Sequence, residues 1–330
     1  ALLNAEMGVK SEADQPSDLQ SDKALLVLDR ASVQQAMASF ELSKRDYEAA
    51  DKAIDMLDLS ANAGDTLAKY MYSDAAGRYR APPYEKLLLN AFNLLNYLET
   101  GDGSGARLEA RRVGITQTYF KQVGLGDHSP ALGLAGFLGG VAFEIGGEVD
   151  TALRFYDDAL AVGSFPALRS SVAPLLARGT YTSPLLKQAA EGMDVPVLGD
   201  DQGEIIVVAA FGRSPEKVAK RVPIGLALTL YADAISPANQ VAAGRLAAQG
   251  LVTWVNYPAL GAERGGWAVP TCSVDGHGVR LDEAVDVSAA VREEWRRIEG
   301  KIVAAAISRM ITRATAGAIA GAVAGKRDSA

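Results

Sequence analysis

Three stretches of this chain share one fine pattern of small and aromatic residues, and an internal repeat narrows the possible folds more than any other sequence feature. The clearest copy runs from Gly140 to Leu160. Gly140 and Phe143 lie on one helix, Gly146-Gly147-Glu148-Val149 makes a turn, and Ala152, Tyr156 and Ala159 recur at spacings of four and three on a second helix. A small residue on the first helix admits the second, the aromatic fills the space between them, and the alanines mark the crossing. The second copy is Leu94, Tyr97, Gly101-Asp102, Ala106, Ala110 and Val113. The third, earliest in the chain, is Ala38, Asp46-Tyr47-Glu48, Ala50, Ile54 and Leu57, with its turn placed at Asp46-Tyr47-Glu48. The pattern predicts helical hairpins of the tetratricopeptide (TPR) type, stacked into a superhelix. Ala50 and Ala106 are 56 residues apart and Ala106 and Ala152 are 46 apart. A TPR repeat spans about 34, so insertions separate the copies, including an extra helix expected around residues 61–75.

The expected architecture is mainly α. A polar leader with little helix covers 1–22, TPR-like repeats cover 23–165, and a linker with short helical pieces, holding Pro166, Pro174, Pro184 and Pro196, covers 166–200. A small mixed α/β domain is expected over 201–285. The continuous β-branched run Glu204–Phe211, ended by Gly212, reads as a buried strand there, and Leu251–Tyr257 reads as another. Ala238–Gln249 reads as a helix stopped by Gly250, and residues 271–281 read as a hairpin turning at Asp275-Gly276. A long helix then fills 286–330. It carries Gly317, Gly321 and Gly325 at intervals of four, a spacing that allows another helix to approach closely, so these three are the candidate oligomer contact. The apolar part, Ala314–Gly325, is flanked by Arg313 and Lys326 and is shorter than the roughly 20 residues a bilayer span needs.

Composition narrows function by exclusion. Of 330 residues, 48% are hydrophobic and 22% charged, which is ordinary for a folded protein. The net charge of −7 argues against a nucleic-acid partner, which needs clustered Lys and Arg. Charge is uneven: residues 1–60 carry twelve acids against six bases, and residues 291–330 carry eight bases against four acids. Opposite-signed ends fit self-association or a larger complex, and fit two solvated helix faces equally well. A single cysteine forbids an internal disulfide, and two histidines make a His-rich metal centre improbable. No phosphate loop, dinucleotide fingerprint, zinc-helix motif or nucleophile elbow occurs. Cys272 and His277 are the single thiol–imidazole pair on offer, and Asp200-Asp201 with Glu204 the single oxygen cluster, read as a solvated turn. No catalytic residue, metal ligand or cofactor is expected.

Two features point to protein binding. Arg78, Tyr79 and Arg80 precede Pro82 and Pro83, which pre-set a rigid projection carrying cationic and aromatic groups of the kind enriched at binding hot spots. On the helix that follows, Asn90 and Asn93 share a stripe with Tyr97, and Asn90 falls where a TPR repeat usually buries an aromatic. Either the amides contact a bound segment, or they tie one repeat to the next by hydrogen bonds.

The run Arg78-Tyr79-Arg80-Ala81-Pro82-Pro83-Tyr84-Glu85-Lys86-Leu87-Leu88-Leu89-Asn90, with Leu95-Asn96-Tyr97-Leu98 and Glu109-Ala110-Arg111-Arg112, resembles an uncharacterised bacterial family of TPR-containing envelope lipoproteins. The resemblance continues at Tyr156–Leu160, at Val218–Ile224 and in the Arg292–Ala316 helix. It implies a periplasmic protein, outer-membrane anchored through a lipid on an upstream cysteine, with envelope proteins as partners. Some family members are encoded near activators of peptidoglycan synthases. The resulting expectation is a non-enzymatic scaffold, one subunit of a cell-envelope assembly. Its rivals are a regulator of a cell-wall synthesising enzyme and a cysteine hydrolase using Cys272 and His277. The opening Ala1-Leu2-Leu3-Asn4 has no basic region and no long apolar run, so no signal peptide is expected, which fits either a cytosolic protein or a processed mature form.

Overall fold

The helices of the first half are set by their turns. The computed structural model describes residues 2–19, 23–56, 80–81, 83–122, 130–192, 203–250, 254–262 and 267–327, with side chains in the last stretch described through Ala314. Three hairpins are formed by α2 (Lys23–Ala36) with α3 (Phe40–Ala53), α4 (Pro83–Glu99) with α5 (Gly103–Gln122), and α6 (Pro130–Ile145) with α7 (Val149–Val162). Their turns hold Ala38, Gly101 and Gly147 in the left-handed region, at φ +56°, +72° and +75°. Each of these residues donates its N–H to the carbonyl three back (Gln35, Leu98, Glu144), and the next N–H reaches the carbonyl five back (Gln34, Tyr97, Phe143). This pair of bonds satisfies the orphan carbonyls at a helix end and reverses the chain.

Counted from these turns, the repeat has a different register from the one read in the sequence. Ser43, Ala106 and Ala152 each lie five residues past the left-handed residue, and all are buried. Tyr47, Ala110 and Tyr156 lie nine past it and are buried too. The Asp46-Tyr47-Glu48 turn expected in the earliest copy is therefore the middle of α3. Ala38 supplies the turn without the glycine that marks the other two, so the sequence signal was absent. The extra helix expected at 61–75 lies outside the described residues.

The two compact units are residues 1–57, 74–212 and 265–290, and residues 58–73, 213–264 and 291–330. In the first, the core is built around α6, whose described side chains are buried from Ala131 to Phe143. Its glycines admit α7: a Cβ on Gly140 would sit 2.2 Å from the Tyr156 ring, and one on Gly136 3.0 Å from the Phe155 carbonyl. A second cluster joins Val27, Ala31, Tyr47, Ala50 and Ile54 to Leu89 of α4.

The segment expected to be a linker is a fourth helix pair. α8 (Arg169–Arg178) and α9 (Pro184–Ala190) bury Val172, Leu175 and Leu186, with Leu168 just ahead of them. Pro184 starts α9 behind the Ser183 hydroxyl, which accepts from the Leu186 N–H. Asp157 of α7 accepts from Tyr181 Oη at 2.7 Å and from Ser183 Oγ, and Asp150 accepts from the Thr180 and Tyr181 N–H groups at 2.6 and 2.9 Å. The leader is likewise structured: α1 (Leu2–Met7) puts Met7 into the core. A short parallel bridge pairs β1 (Asp55–Met56) with β2 (Arg80–Ala81).

The second unit pairs β3 (Lys217–Pro223) with β4 (Trp254–Leu260), antiparallel, with Val222 opposite Val255. The expected strand at Glu204–Phe211 does not form; residues 203–211 have no regular structure and are exposed. β3 takes the place beside β4 instead. It lacks an apolar run, and its cations lie on aromatic faces: Arg221 on Trp254 at 5.0 Å and Lys220 on Tyr257 at 5.9 Å. Also in this unit are α10 (Ile224–Leu230), α11 (Pro237–Ala248) and most of α12 (Val287–Arg327), which buries Trp295, Ile298, Ile302 and Ile307. Gly250 ends α11's turn at φ +69°. The expected hairpin exists as β5 (Cys272–Val274) and β6 (His277–Val279), but residues 265–290 group with the helical unit rather than with the β3–β4 sheet. No helix among the described residues is long and apolar enough to cross a membrane.

Candidate functional site

The first three hairpins differ most at one pair of equivalent positions, eight residues before and eight after each left-handed residue. In the first hairpin these hold Arg30 and Asp46, in the second Asn93 and Glu109, in the third Gly139 and Phe155. Arg30 donates Nε to Asp46 Oδ2 at 2.6 Å and Nη2 to Oδ1 at 3.1 Å, the forked geometry that suits a carboxylate. Its Nη1 reaches Asn4 Oδ1 at 3.1 Å and its Nη2 the Asp14 carbonyl at 2.9 Å, so the leader completes the site. In the second hairpin, Asn93 Nδ2 donates to Glu109 Oε1 at 3.2 Å and Asn90 Nδ2 to Oε2 at 3.0 Å. In the third, the ring of Phe155 lies where a Gly139 Cβ would be.

Glu109 is fully buried, and burial pushes its carboxyl above the ordinary range. Arg112, 2.7 Å away, and the two amides pull the other way but do not offset it. Around Glu109 a polar seam joins the first hairpin to the second. Asn90 Nδ2 reaches Asp51 of α3 at 3.3 Å, and Lys86 pairs with the same carboxylate. Asn96 Nδ2 donates to Ser43 Oγ at 2.9 Å, Gln35 Nε2 donates to Asn96 Oδ1 at 2.8 Å, and Tyr97 Oη donates to Glu48. Buried polar contacts of this kind fix register between elements more than they add stability.

Asn90 and Asn93 therefore face the interior, bound to Glu109, and are not surface groups for a partner. Asn90 also links its hairpin to the preceding one through Asp51. Arg78 and Tyr79 lie outside the described residues, and for Arg80 the backbone alone is described, in β2. Gly317, Gly321 and Gly325 fall on the helical backbone of α12, beyond the described side chains. Cys272 and His277 sit diagonally on the β5–β6 ladder, where Cys272 faces Val279 and His277 faces Val274. No hydrogen bond joins them; His277 Nδ1 lies 3.1 Å from the Asp275 carbonyl. Asp200 and Asp201 are outside the described residues, and Glu204 accepts from Ser170 Oγ at 2.9 Å. Among the described residues no group of three or more acidic, His or Cys side chains is placed to hold a metal.

The surface offers groups that the sequence reading passed over. On α5, Leu108, Arg111 and Ile115 are exposed, and their spacing of three and four makes one stripe. Arg111 leans on the Phe143 ring at 5.5 Å, which holds the stripe against the next hairpin. Val33 on α2 and Met37 just past its end are exposed four residues apart. The stripe was findable, because Ala106, Ala110 and Val113 already claim the opposite face of α5. No protein family, curated protein or solved structure matches the chain.

Proposed function

We propose that this chain is a non-enzymatic scaffold, a subunit of a cell-envelope assembly that binds partner proteins through a stack of TPR-like hairpins. One observation carries the reading: three hairpins close on the same turn, and the second helix of each packs on the first helix of the next. Such stacking builds an extended surface out of repeated units, which is how repeat proteins bind partners. The polar seam keys the units in order, and the exposed stripe Leu108, Arg111 and Ile115 supplies apolar and cationic contacts of the kind found at protein interfaces. The periplasmic, outer-membrane-anchored location rests on the lipoprotein resemblance at Arg78–Asn90.

The test is affinity capture from solubilised envelopes, followed by mass spectrometry. A subunit is expected to bring down its neighbours in fixed stoichiometry. Leu108→Glu with Ile115→Glu, both at exposed positions, is expected to lose those neighbours while the thermal melt stays where it was. Fractionation of native cells checks the location. A chain found in the cytosol, or neighbours retained by the double variant, would reject the reading.

A further inference from the structure

The run from Glu204 to Arg213 has the composition of a strand and the environment of none. Ile205, Ile206, Val207, Val208 and Phe211 are all exposed, Ile205 at 88% and Phe211 at 56%. From Ile205 to Arg213 no backbone group is hydrogen-bonded to a described residue. An extended apolar run with unpaired N–H and C=O groups is a template for pairing with another chain, and native proteins usually guard such runs with charge or cover. Here the run is held in place instead. Glu204 is anchored by Ser170 Oγ at one end, and at the other Gly212 turns the chain at φ +86° beside Trp267.

We propose that this segment is a self-complementary strand through which two copies of the chain associate, antiparallel, about a two-fold axis between Val208 and Ala209. Charge selects the occupant. The segment carries one charge at each end, Glu204 and Arg213, of opposite sign, with eight uncharged residues between them. Arg213 is exposed and makes no ion pair with a described residue. Antiparallel pairing with an identical segment brings each Glu204 to the end where the second copy carries Arg213 past its turn, twice per pair. Parallel pairing would set like charge on like.

The same register matches large side chains to small ones. Val208 faces Ala209 and Val207 faces Ala210, and the ladder ends at Gly212, where the chain turns beside Trp267. Ile206 faces Phe211, a β-branched–aromatic pair of the kind that stabilises sheets. Eight residues a side bury less than the roughly 800 Å² per partner of a stable dimer. The association is therefore weak in isolation, with a Kd of about 10–100 µM, and is strengthened where copies are arrayed together. The inference is independent of the hairpin surface and of the α12 glycines.

Sedimentation velocity on the full chain, from about 5 to about 500 µM, brackets that range. Wild type is expected to pass from monomer to dimer. Glu204→Arg and Arg213→Glu are each expected to weaken the dimer about tenfold, because each reversal sets like charges together at both ends. The two reversals combined are expected to restore it, a rescue that a folding defect does not produce. Nitroxide labels at residue 208 and then at 205, in a Cys272→Ser background, give the geometry. The distance between copies is expected to grow by about 6.6 Å for each position away from the axis. A wild type that stays monomeric, single reversals without effect, a double reversal no better than either single, or open-ended growth in place of a dimer would each overturn the proposal.

Discussion

Asp46 and Glu109 occupy one position in successive hairpins, each eight residues past its left-handed turn and each fully buried. Asp46 meets two guanidiniums, Arg30 forking onto it and Arg45 at 2.7 Å; Glu109 meets two amides and a single Arg112 contact. The difference in partner gives the two carboxylates different consequences.

Removing Asp46 leaves Arg30 buried without its counterion, which costs about 3–5 kcal/mol. Asp46→Ala is expected to lower the urea midpoint accordingly. Arg30→Met with Asp46→Leu is expected to recover most of the loss, because two apolar groups leave no orphan charge.

For Glu109 the sign reverses. Its folded pKa lies above the unfolded one, so ionisation opposes folding; stability from this group is greatest in acid and falls as pH rises through the folded pKa. Glu109→Gln removes the ionisable group. Thermal melts are expected to place the variant at or above wild type at pH 7.5. That advantage is expected to shrink as pH falls towards the acid range.

Asp150 behaves oppositely. The Thr180 hydroxyl and the Tyr181 and Thr180 N–H groups hold its carboxyl below the ordinary range, so its contribution is present at neutral pH and is lost as pH falls through the lowered value. Protection of the Thr180 and Tyr181 amides, relative to their intrinsic exchange rates at the same pH, is expected to fall in acid. Asp150→Asn is expected to show the lowered protection already at neutral pH.

The three turns offer a matched comparison. Ala38 carries a side chain where glycine is preferred, and left-handed backbone costs a non-glycine residue about 1 kcal/mol. Ala38→Gly is expected to stabilise by roughly that amount. Gly147→Ala is expected to destabilise by as much, through φ alone, because no atom lies within 4 Å of the added Cβ. Equal melts for all three proteins would contradict the turn assignment.

Gly140→Ala tests packing instead of backbone. Its Cβ would meet the Tyr156 ring, and the buried ring has no room to retreat. A loss of about 1–3 kcal/mol is expected by chemical denaturation, with Ala152→Leu costing a similar amount on the facing helix.

The hairpins were legible because Gly101-Asp102 and Gly146-Gly147 state their turns openly and the alanines mark close packing. The first hairpin was misread because Ala38 hides its turn and Ala50 mimics the alanine of the later copies. α8 and α9 were legible as short helical pieces, but the prolines around them read as linker, although Pro184 serves as a helix start. β3 escaped notice because its cations stack on aromatic rings that only tertiary structure brings near. Glu204–Phe211 shows the converse. Its local preference for strand is strong, but a strand requires a partner, and sequence preference alone does not provide one.

The leader is tied to the first hairpin by polar contacts. Arg30 is held by Asn4 and Asp14, and Arg45 reaches the carbonyls of Glu12 and Ala13 at 2.7 and 2.5 Å. The segment is an arm fastened by two guanidinium groups, both of which also grip Asp46, Arg30 from inside the protein and Arg45 at 2.7 Å. A pull on the amino end is therefore not taken up by a slack tether. It passes within a few bonds into the buried ion pair of the first hairpin, so that hairpin bears the load.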